Sequence, residues 1–215
     1  MRRRTAGFTL VELVVVVAII AVMIVISIAG MDGWEDAEAA RVSARSVDGA
    51  FAFARSEAIR TGHNHMVFIQ QDTTGAALTD EGGSTVPILV LDDGLPGSAN
   101  QNCLINPGEP IQGFRIDRRV SFGSTIATTN APNDTATGAR SSGTTFTNGV
   151  GGAATWVLIR PDGSPRAATT ACVMGALGSG NGGVYLRNAA REVAVVLTPL
   201  GASRVYTWQE GGTWN

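Results

Sequence analysis

An apolar run near the start of the chain limits the folds that the sequence can adopt. Between Leu13 and Ala29 the only polar side chain is Ser27. As one helix, residues 8–29 would extend about 33 Å at ~1.5 Å per residue, which is enough to cross the hydrocarbon core of a bilayer. The run therefore predicts a membrane-spanning helix over residues 8–29.

The charges on either side of the run predict its orientation. Arginines precede it at positions 2–4, whereas acidic residues follow it between positions 32 and 38, and the next arginine is Arg41. Basic residues are enriched on the cytoplasmic side of membrane-spanning helices. The N-terminus is therefore expected in the cytoplasm, and everything after Ala29 outside it.

Glu12 is the one charged residue inside the predicted span. A carboxylate in a membrane-spanning helix costs roughly 2.5–3.5 kcal/mol on insertion scales, so it indicates a function and a partner that offsets its charge. No Arg or His lies within residues 8–29 to be that partner. We therefore interpret Glu12 as a functional residue.

The residues around Glu12 resemble a known processing signal. An arginine-rich leader, the sequence GFTLVE over residues 7–12 and an unbroken apolar helix are similar to the N-terminus of type IV pilins and type II secretion pseudopilins. The resemblance implies cleavage after Gly7 by a prepilin peptidase and N-methylation of Phe8. It also implies that Glu12, fifth in the mature chain, pairs with the N-terminal amine of a neighbouring subunit.

An ordinary secretory signal peptide is the alternative interpretation of this segment. Its hydrophobic region would be residues 13–26, and its small-residue cleavage site would be Ser27–Ala29. This alternative predicts a soluble β protein outside the cell membrane. It leaves the sequence of residues 7–12 without an explanation.

A second helical pattern covers residues 34–61. Gly62 provides a stop signal at its end. A stripe of apolar residues with spacings of three and four follows one face: Ala40, Ala44, Val47, Phe51, Ala54 and Ala58. Because the stripe is rich in alanine, we expect a sheet to pack closely on it. Gly30 and Gly33 separate this helix from the apolar run, either as a local kink in one helix or as a turn that ends the span.

Beyond Gly62 the hydrophobic period changes from that of a helix to that of a strand. Turns containing Gly, Pro, Asp or Asn separate the β-rich runs, and Asp162-Gly163 is expected to close a hairpin. The predicted strands are Met66–Ile69, Val86–Leu91, Phe114–Phe122, Thr155–Ile159, Val184–Leu186, Val193–Leu197 and Val205–Trp208. Residues 123–154 are rich in Ser, Thr, Gly, Asn and Ala, which predicts a surface loop or a poorly ordered insertion.

Three segments resemble the GspH/FimT family, which comprises minor pseudopilins of type II secretion and their type IV pilus relatives. Residues 54–60 resemble the end of the family's stem helix, residues 156–163 a strand that ends in a glycine turn, and residues 183–201 its closing hairpin. The resemblance implies an α+β, type IV pilin-like fold. In that fold a long N-terminal helix, transmembrane in its first half, packs on an antiparallel β-sheet domain.

The chain is therefore expected to have four parts. Residues 1–7 form a leader peptide, and residues 8–29 form a transmembrane helix that also lies in the filament core. Residues 30–62 form the periplasmic half of the stem helix, and residues 63–215 form a globular β domain that carries the 123–154 insertion.

The two cysteines, Cys103 and Cys172, lie in the part expected to be exported, where oxidised thiols persist. We predict a disulfide between them, which would close a loop of about 70 residues and stabilise the fold by ~4 kcal/mol in the chain-entropy model. Metal binding is disfavoured, because only His63 and His65 could complete the ligand set. We expect those histidines to be exposed polar residues, and we expect no metal or other cofactor.

The charge balance argues against nucleic acid as a partner. The formal charge is −2, and removal of residues 1–7 leaves 13 basic against 18 acidic groups, a charge of −5. In the competence-pilus branch of the family, a Gly-Arg-x-Arg-like turn is associated with DNA binding. The corresponding turn here, residues 201–204, retains only Arg204, so we expect at most a weak DNA contact there.

No enzymatic motif assembles in the sequence. There is no Gly-x-Ser-x-Gly elbow and no phosphate-binding loop, and no cysteine lies near a histidine. Two adjacent aspartates, Asp92 and Asp93, offer too few ligands for a calcium cage of six to eight oxygens. We therefore expect a protein without enzymatic activity.

The resemblance implies a minor pseudopilin subunit of a type II secretion system. It would reside in the bacterial inner membrane with its N-terminus in the cytoplasm and its C-terminal domain in the periplasm. Its partners would be the prepilin peptidase and the other pseudopilins or pilins of a filament. A minor type IV pilin, of a priming or DNA-uptake type, and a signal-peptide-cleaved soluble β protein are the alternatives.

Overall fold

The computed structural model describes residues 9–98, 100–209 and 211–215, and for residues 25–32 it describes the backbone alone. Within these residues one long helix, α1 (Leu10–Thr61), precedes all the strands. The strands are β1 (His65–Ile69), β2 (Ile88–Asp92), β3 (Ile111–Phe114), β4 (Ser121–Phe122), β5 (Trp156–Ile159), β6 (Pro165–Arg166), β7 (Gly182–Arg187), β8 (Glu192–Leu197), β9 (Ser203–Gln209) and β10 (Thr213–Trp214). A short 3-10 helix covers Arg140–Ser142.

The two predicted helical segments form one continuous helix. The backbone of α1 remains helical through Gly30 and Gly33 over its 52 residues, so the alternative of a turn ending the first segment is wrong. Propagating a helix across two glycines costs only about 1 kcal/mol each, which packing of the later turns offsets. The predicted stop is confirmed, because Gly62 caps the helix with a φ of 73° and its N–H donates to the carbonyl of Ala58.

The predicted alanine-rich stripe is the buried face of α1. Each of its six residues is at most 1% exposed: Ala40, Ala44, Val47, Phe51, Ala54 and Ala58. Small side chains let the helix axis approach the strands closely, and α1 contacts strands of both sheets. The hydrophobic core therefore lies between the second half of α1 and the two sheets.

All strand pairs are antiparallel, and they form two sheets of five strands. The first sheet has the order β3-β2-β1-β5-β6, and the second has the order β10-β9-β8-β7-β4. The β5–β6 hairpin turns at Asp162-Gly163, as the sequence predicts, and pairs Ile159 with Pro165. Strand β8 lies between β7 and β9, and both of its faces are buried because its alternate residues belong to two different core clusters. The observed architecture is thus α+β, with a long N-terminal helix on antiparallel sheets.

The prediction of one strand over Phe114–Phe122 is wrong. Strand β3 ends at Phe114, and only Ser121–Phe122 pairs again, in the other sheet. Asp117 redirects the chain between them, because its carbonyl accepts the N–H of Val120 and its own N–H donates to the Ser43 hydroxyl of α1. The sequence does not predict strands β6 and β10, because each has only two residues and so shows no hydrophobic alternation.

The 123–154 insertion is packed, contrary to the prediction of a surface loop. It covers the outer face of the second sheet, where Ala127 and Ala131 join the second core cluster with Tyr185 and Trp214. Phe146 is 1% exposed and belongs to the main core. The composition concealed this packing, because the insertion is held mainly by hydrogen bonds rather than by a periodic apolar face.

Glu192 anchors the start of the insertion. Its carboxylate accepts the backbone N–H groups of Thr125, Ile126 and Ala127 at 2.6, 2.8 and 2.9 Å, and the hydroxyl of Ser124 at 2.7 Å. Burial alone would raise the pKa of Glu192, but these donors stabilise the carboxylate and hold its pKa below the ordinary value. The ionised carboxylate therefore ties residues 124–127 to β8.

Arg55 joins α1 to two turns of the β domain. Its Nη1 donates to the carbonyl of Gly201 at 3.2 Å, and its side chain lies against Gly163. Gly201 has a φ of 80°, and a Cβ there would lie 2.2 Å from the carbonyl oxygen of Gly163. The contact between these turns therefore requires glycine at position 201.

The first prediction concerns this contact. Gly201→Ala should lower the free energy of unfolding by at least about 2 kcal/mol, because it combines a left-handed backbone with a steric clash. Thermal unfolding of the full chain in detergent, followed by circular dichroism, measures the loss. The matched control is Gly49→Ala in α1, where a Cβ meets nothing within 4 Å and helix propensity should raise stability slightly. Equal effects of the two substitutions would contradict the close approach.

The second prediction concerns the pH dependence of stability at Glu192. Its folded-state pKa is lowered, so its contribution is present above the unfolded-state pKa of about 4.3 and is lost as pH falls through the folded value. Glu192→Gln should therefore destabilise the chain by about 1–3 kcal/mol at neutral pH. The difference from wild type should shrink as the pH falls below about 4.

Melting curves across this pH range measure that difference. The control is Glu81→Gln, which replaces an exposed carboxylate and should change stability by less than about 0.5 kcal/mol at every pH. A Glu192→Gln deficit that is independent of pH would show that the charge of Glu192 does not hold the insertion.

Candidate assembly helix

The first described turns of α1 expose apolar side chains on every face. From Leu10 to Ile24 the large hydrophobic side chains are between 46% and 79% exposed. Fifteen residues make about four turns, so their side chains surround the helix completely. Burial within the chain begins only with Ala37 among the residues whose side chains are described. This part of α1 therefore exposes an apolar surface that the described residues do not cover.

Such a surface is not stable in water. Monomeric soluble proteins rarely expose a continuous apolar patch larger than a few hundred Å², and larger patches mark membrane or protein interaction sites. The helix carries this apolar segment in direct continuation of the stem packed on the β domain. No break in the helical backbone separates the apolar segment from the stem.

Glu12 lies in the first turn of this helix, where it forms part of a capping box. Thr9 is the N-cap, and its hydroxyl accepts the N–H of Glu12 at 3.2 Å, while the Glu12 carboxylate lies 3.4 Å from the N–H of Thr9. The two residues thereby satisfy two of the N–H groups that the first helical turn leaves unpaired. The position also places a negative charge at the positive end of the helix dipole.

The capping role is a function that the sequence analysis missed. The signal was present, because Thr9 followed three residues later by Glu12 is the capping-box pattern before an apolar run. The carboxylate is exposed to the surroundings of the helix and faces no cation of its own chain among the described residues. Gly7 and Phe8 lie outside the described residues, so their processing and the pairing of Glu12 with a neighbouring amine stay predictions.

The structure contains the predicted disulfide. Cys103 and Cys172 are joined with an S–S distance of 1.96 Å and a Cα–Cα distance of 5.3 Å, across a sequence separation of 69. The bond connects the segment between β2 and β3 to the segment between β6 and β7. It thereby fastens two irregular segments over the first sheet.

Arg204 lies exposed on β9, next to the turn that connects it to β8. Arg55 also reaches that turn, but its guanidinium is used internally through the bond to Gly201. The neighbouring Ser203 donates a hydrogen bond to Asp48 of α1 at 2.5 Å, so Ser203 faces α1 and the next residue, Arg204, lies on the opposite face of β9. The turn is therefore followed by one exposed arginine, which gives little attraction for phosphate groups.

The two histidines are less exposed than predicted. His65 is 3% exposed in β1, and burial lowers its pKa. His63 is partly buried, and its Nδ1 lies 2.8 Å and 2.9 Å from the two carboxylate oxygens of Asp92. The expectation failed because Asp92, 29 residues away, pairs with His63 only once β1 and β2 align. This pair fixes the end of α1 against the first sheet.

The comparisons with known proteins bear on the N-terminus. Residues 2–28 match the family model of the prokaryotic N-terminal methylation motif. Neither curated proteins nor solved structures give a match. The chain therefore carries a prepilin-type motif, in the segment that includes Gly7, Phe8 and Glu12.

Across the residues that the structure describes, no helix has both the length and the apolarity needed to cross a membrane. The span predicted over residues 8–29 includes Phe8 and side chains that lie outside the description.

Proposed function

We propose that the chain is a minor pseudopilin of a type II secretion system, with a structural rather than an enzymatic role. It is held in the bacterial inner membrane by residues 8–29, with its N-terminus in the cytoplasm and its β domain in the periplasm. A prepilin peptidase cleaves after Gly7 and the new terminus at Phe8 is methylated. The mature subunit then enters a helical filament with other pseudopilins.

One observation carries this proposal: a helix that is apolar on every face follows a prepilin-type motif and continues into a stem buried on a folded domain. Before assembly, lipid would cover the apolar half. In the filament, the equivalent helices of other subunits would replace the lipid, while the β domains remain at the outside. Head-to-tail contacts of this kind do not close, so they generate a helical polymer.

The charge of Glu12 would be neutralised when the subunit assembles. Cleavage after Gly7 removes the nearby arginines at positions 2–4 and creates an amine at Phe8. In a low-dielectric filament core an unpaired carboxylate is costly, so a neighbouring subunit's amine would stabilise it on entry. The capping box holds the carboxylate at the first turn, where such an amine would have to meet it. Assembly and charge neutralisation would then be one event.

The periphery of the domain favours secretion or filament priming over DNA uptake. The β8–β9 turn is followed by one exposed arginine, Arg204, and the other arginine at this turn, Arg55, donates to the carbonyl of Gly201. A mature chain with a formal charge of −5, from 13 basic and 18 acidic groups, lacks the electrostatic attraction that DNA binding requires.

The third prediction concerns processing. Gly7→Val should leave the full-length precursor in the membrane, because it alters the residue directly before the proposed scissile bond in the matched motif. Immunoblots of membranes with and without a co-expressed prepilin peptidase measure the precursor and the mature form. The control is Ala6→Val, one position away from the bond, which should be processed. Processing of Gly7→Val at the wild-type rate would contradict the assigned cleavage position.

The fourth prediction separates the two roles of Glu12. Glu12→Leu removes both the charge and the capping box, whereas Glu12→Gln removes the charge and retains a side chain that can complete the box. If the carboxylate pairs with an amine, both variants should be inserted and cleaved but should fail to enter the filament. Site-specific crosslinking to partner pseudopilins should then fall at least about tenfold, a loss of roughly 1.4 kcal/mol or more.

Each outcome of the Glu12 series decides between the roles. Loss of assembly in Glu12→Leu with wild-type assembly in Glu12→Gln would assign Glu12 to helix capping alone. Wild-type assembly of both variants would remove Glu12 from the mechanism. The matched control for charge is Glu35→Gln, which lies on the stem near the domain and should assemble normally.

A further inference from the structure

A buried carboxylate lies against the disulfide. Asp93 directly follows β2 and is 0% exposed. Its Oδ1 accepts the N–H groups of Cys103 at 2.9 Å and Asn102 at 3.2 Å. Its Oδ2 lies 3.6 Å from the Sγ of Cys172, within hydrogen-bonding range of sulfur. The carboxylate and the two sulfur atoms lie within 4.8 Å of one another.

The charge of Asp93 has no cationic partner in the described part of the chain. Asn64 lies opposite Asp93 across the β1–β2 pair, and Asp93 donates its N–H to the carbonyl of Asn64. The charged groups that act on the carboxylate are Glu109, on the segment that covers it, and Asp92, its neighbour in sequence; both are acidic. Burial raises the pKa of Asp93 to about 6, although the two N–H donors oppose this. The carboxylate is therefore a stronger base than an ordinary aspartate.

The two sulfur atoms differ in access. Cys103 is 0% exposed, whereas Cys172 is partly exposed and lies between the exposed residues Ala171 and Val173. Thiol–disulfide exchange requires a partner to approach the attacked or attacking sulfur directly. In the folded chain, Cys172 is the sulfur that an external molecule can reach, and it is the one that faces Oδ2 of Asp93.

We propose that Asp93 is the general base that activates the Cys172 thiol for disulfide formation in the folded chain. In the dithiol form, Asp93 removes the proton from the Cys172 thiol. The thiolate attacks one sulfur of a disulfide-bearing oxidant, which breaks the oxidant's S–S bond and leaves a mixed disulfide and one oxidant thiolate. Asp93 passes its proton to that oxidant thiolate. The Cys103 sulfur then attacks the Cys172 sulfur, which forms the protein disulfide and breaks the Cys172–oxidant bond, and the Cys103 proton goes to the departing oxidant sulfur. The oxidant leaves as a dithiol or as two thiols, so two protein thiols are oxidised and one disulfide is reduced.

This arrangement would let the bond form after the domain has folded. An ordinary thiol has a pKa of about 8.5 and is only slightly ionised at neutral pH. A base within reach of the sulfur removes that limitation, because proton transfer then accompanies the attack. The disulfide that fastens two irregular segments over the first sheet could therefore close on a framework already set by β1 and β2. The inference is independent of the proposed filament function.

The test measures oxidation rates of the full chain in detergent. The protein is reduced with a phosphine, freed of reductant and treated with glutathione disulfide between about pH 5 and about pH 8.5, and remaining thiols are alkylated and counted by mass. The native wild-type rate should level off above about pH 6, where Asp93 is ionised. The rate of Asp93→Asn should be at least about tenfold lower near pH 6 and should keep rising toward the ordinary thiol pKa.

The control variant is Glu81→Gln, which removes an exposed carboxylate that is not among the charged groups acting on Asp93, and it should retain the wild-type profile. Trapping with a limiting amount of oxidant should place the mixed disulfide on Cys172. If Asp93→Asn does not fold, the oxidation rate of the wild type is measured in buffer and in denaturant instead. In denaturant the rate should no longer level off above about pH 6. Three results would overturn the proposal. These are parallel pH–rate profiles for wild type and Asp93→Asn, a mixed disulfide on Cys103, and a reduced wild type that no longer folds.

Discussion

The close packing of the alanine-rich face of α1 against two sheets is the contact on which the rest of the structure depends. Ala44, Ala54 and Ala58 are at most 1% exposed, so the helix axis comes close to the strands and both sheets share one core with it. Because the same helix continues without a break toward its N-terminus, this packing also fixes where the exposed apolar half leaves the domain.

Further polar contacts fix the end of α1 and the irregular segments to the sheets. Arg55 and the His63–Asp92 pair hold the outer end of α1 to the turns and strands around it. The carboxylate of Glu192 and the disulfide then fasten the irregular segments, which have few apolar residues of their own. Hydrogen bonds to backbone N–H groups hold these segments to the sheets, whereas a periodic apolar face holds a helix or strand. Because these hydrogen bonds are buried, the loss of any one of them is costly.

The sequence predicts those parts of the structure whose signals are local. The stripe on α1, the stop at Gly62 and the Asp162-Gly163 hairpin each depend on residues a few positions apart. The failures involve partners far apart in sequence: Glu192 binds residues 65 to 68 positions away, which turned a predicted loop into a packed insertion. For the same reason the sequence indicates only a turn at Asp93, and its position beside Cys172 is seen only in the folded chain. The capping box of Glu12 was local and could have been found.

If a processed, membrane-held helix brings this domain into a filament, the mature chain has a defined N-terminus that mass spectrometry can identify. The measurement is the intact mass and N-terminal fragment spectrum of the chain purified from inner membranes that contain its prepilin peptidase. The expected chain begins at Phe8 and carries one N-methyl group, with residues 8–29 retained. A mature chain that begins at Gly30 would contradict this expectation, because cleavage after Ala29 is what a secretory signal peptide would leave.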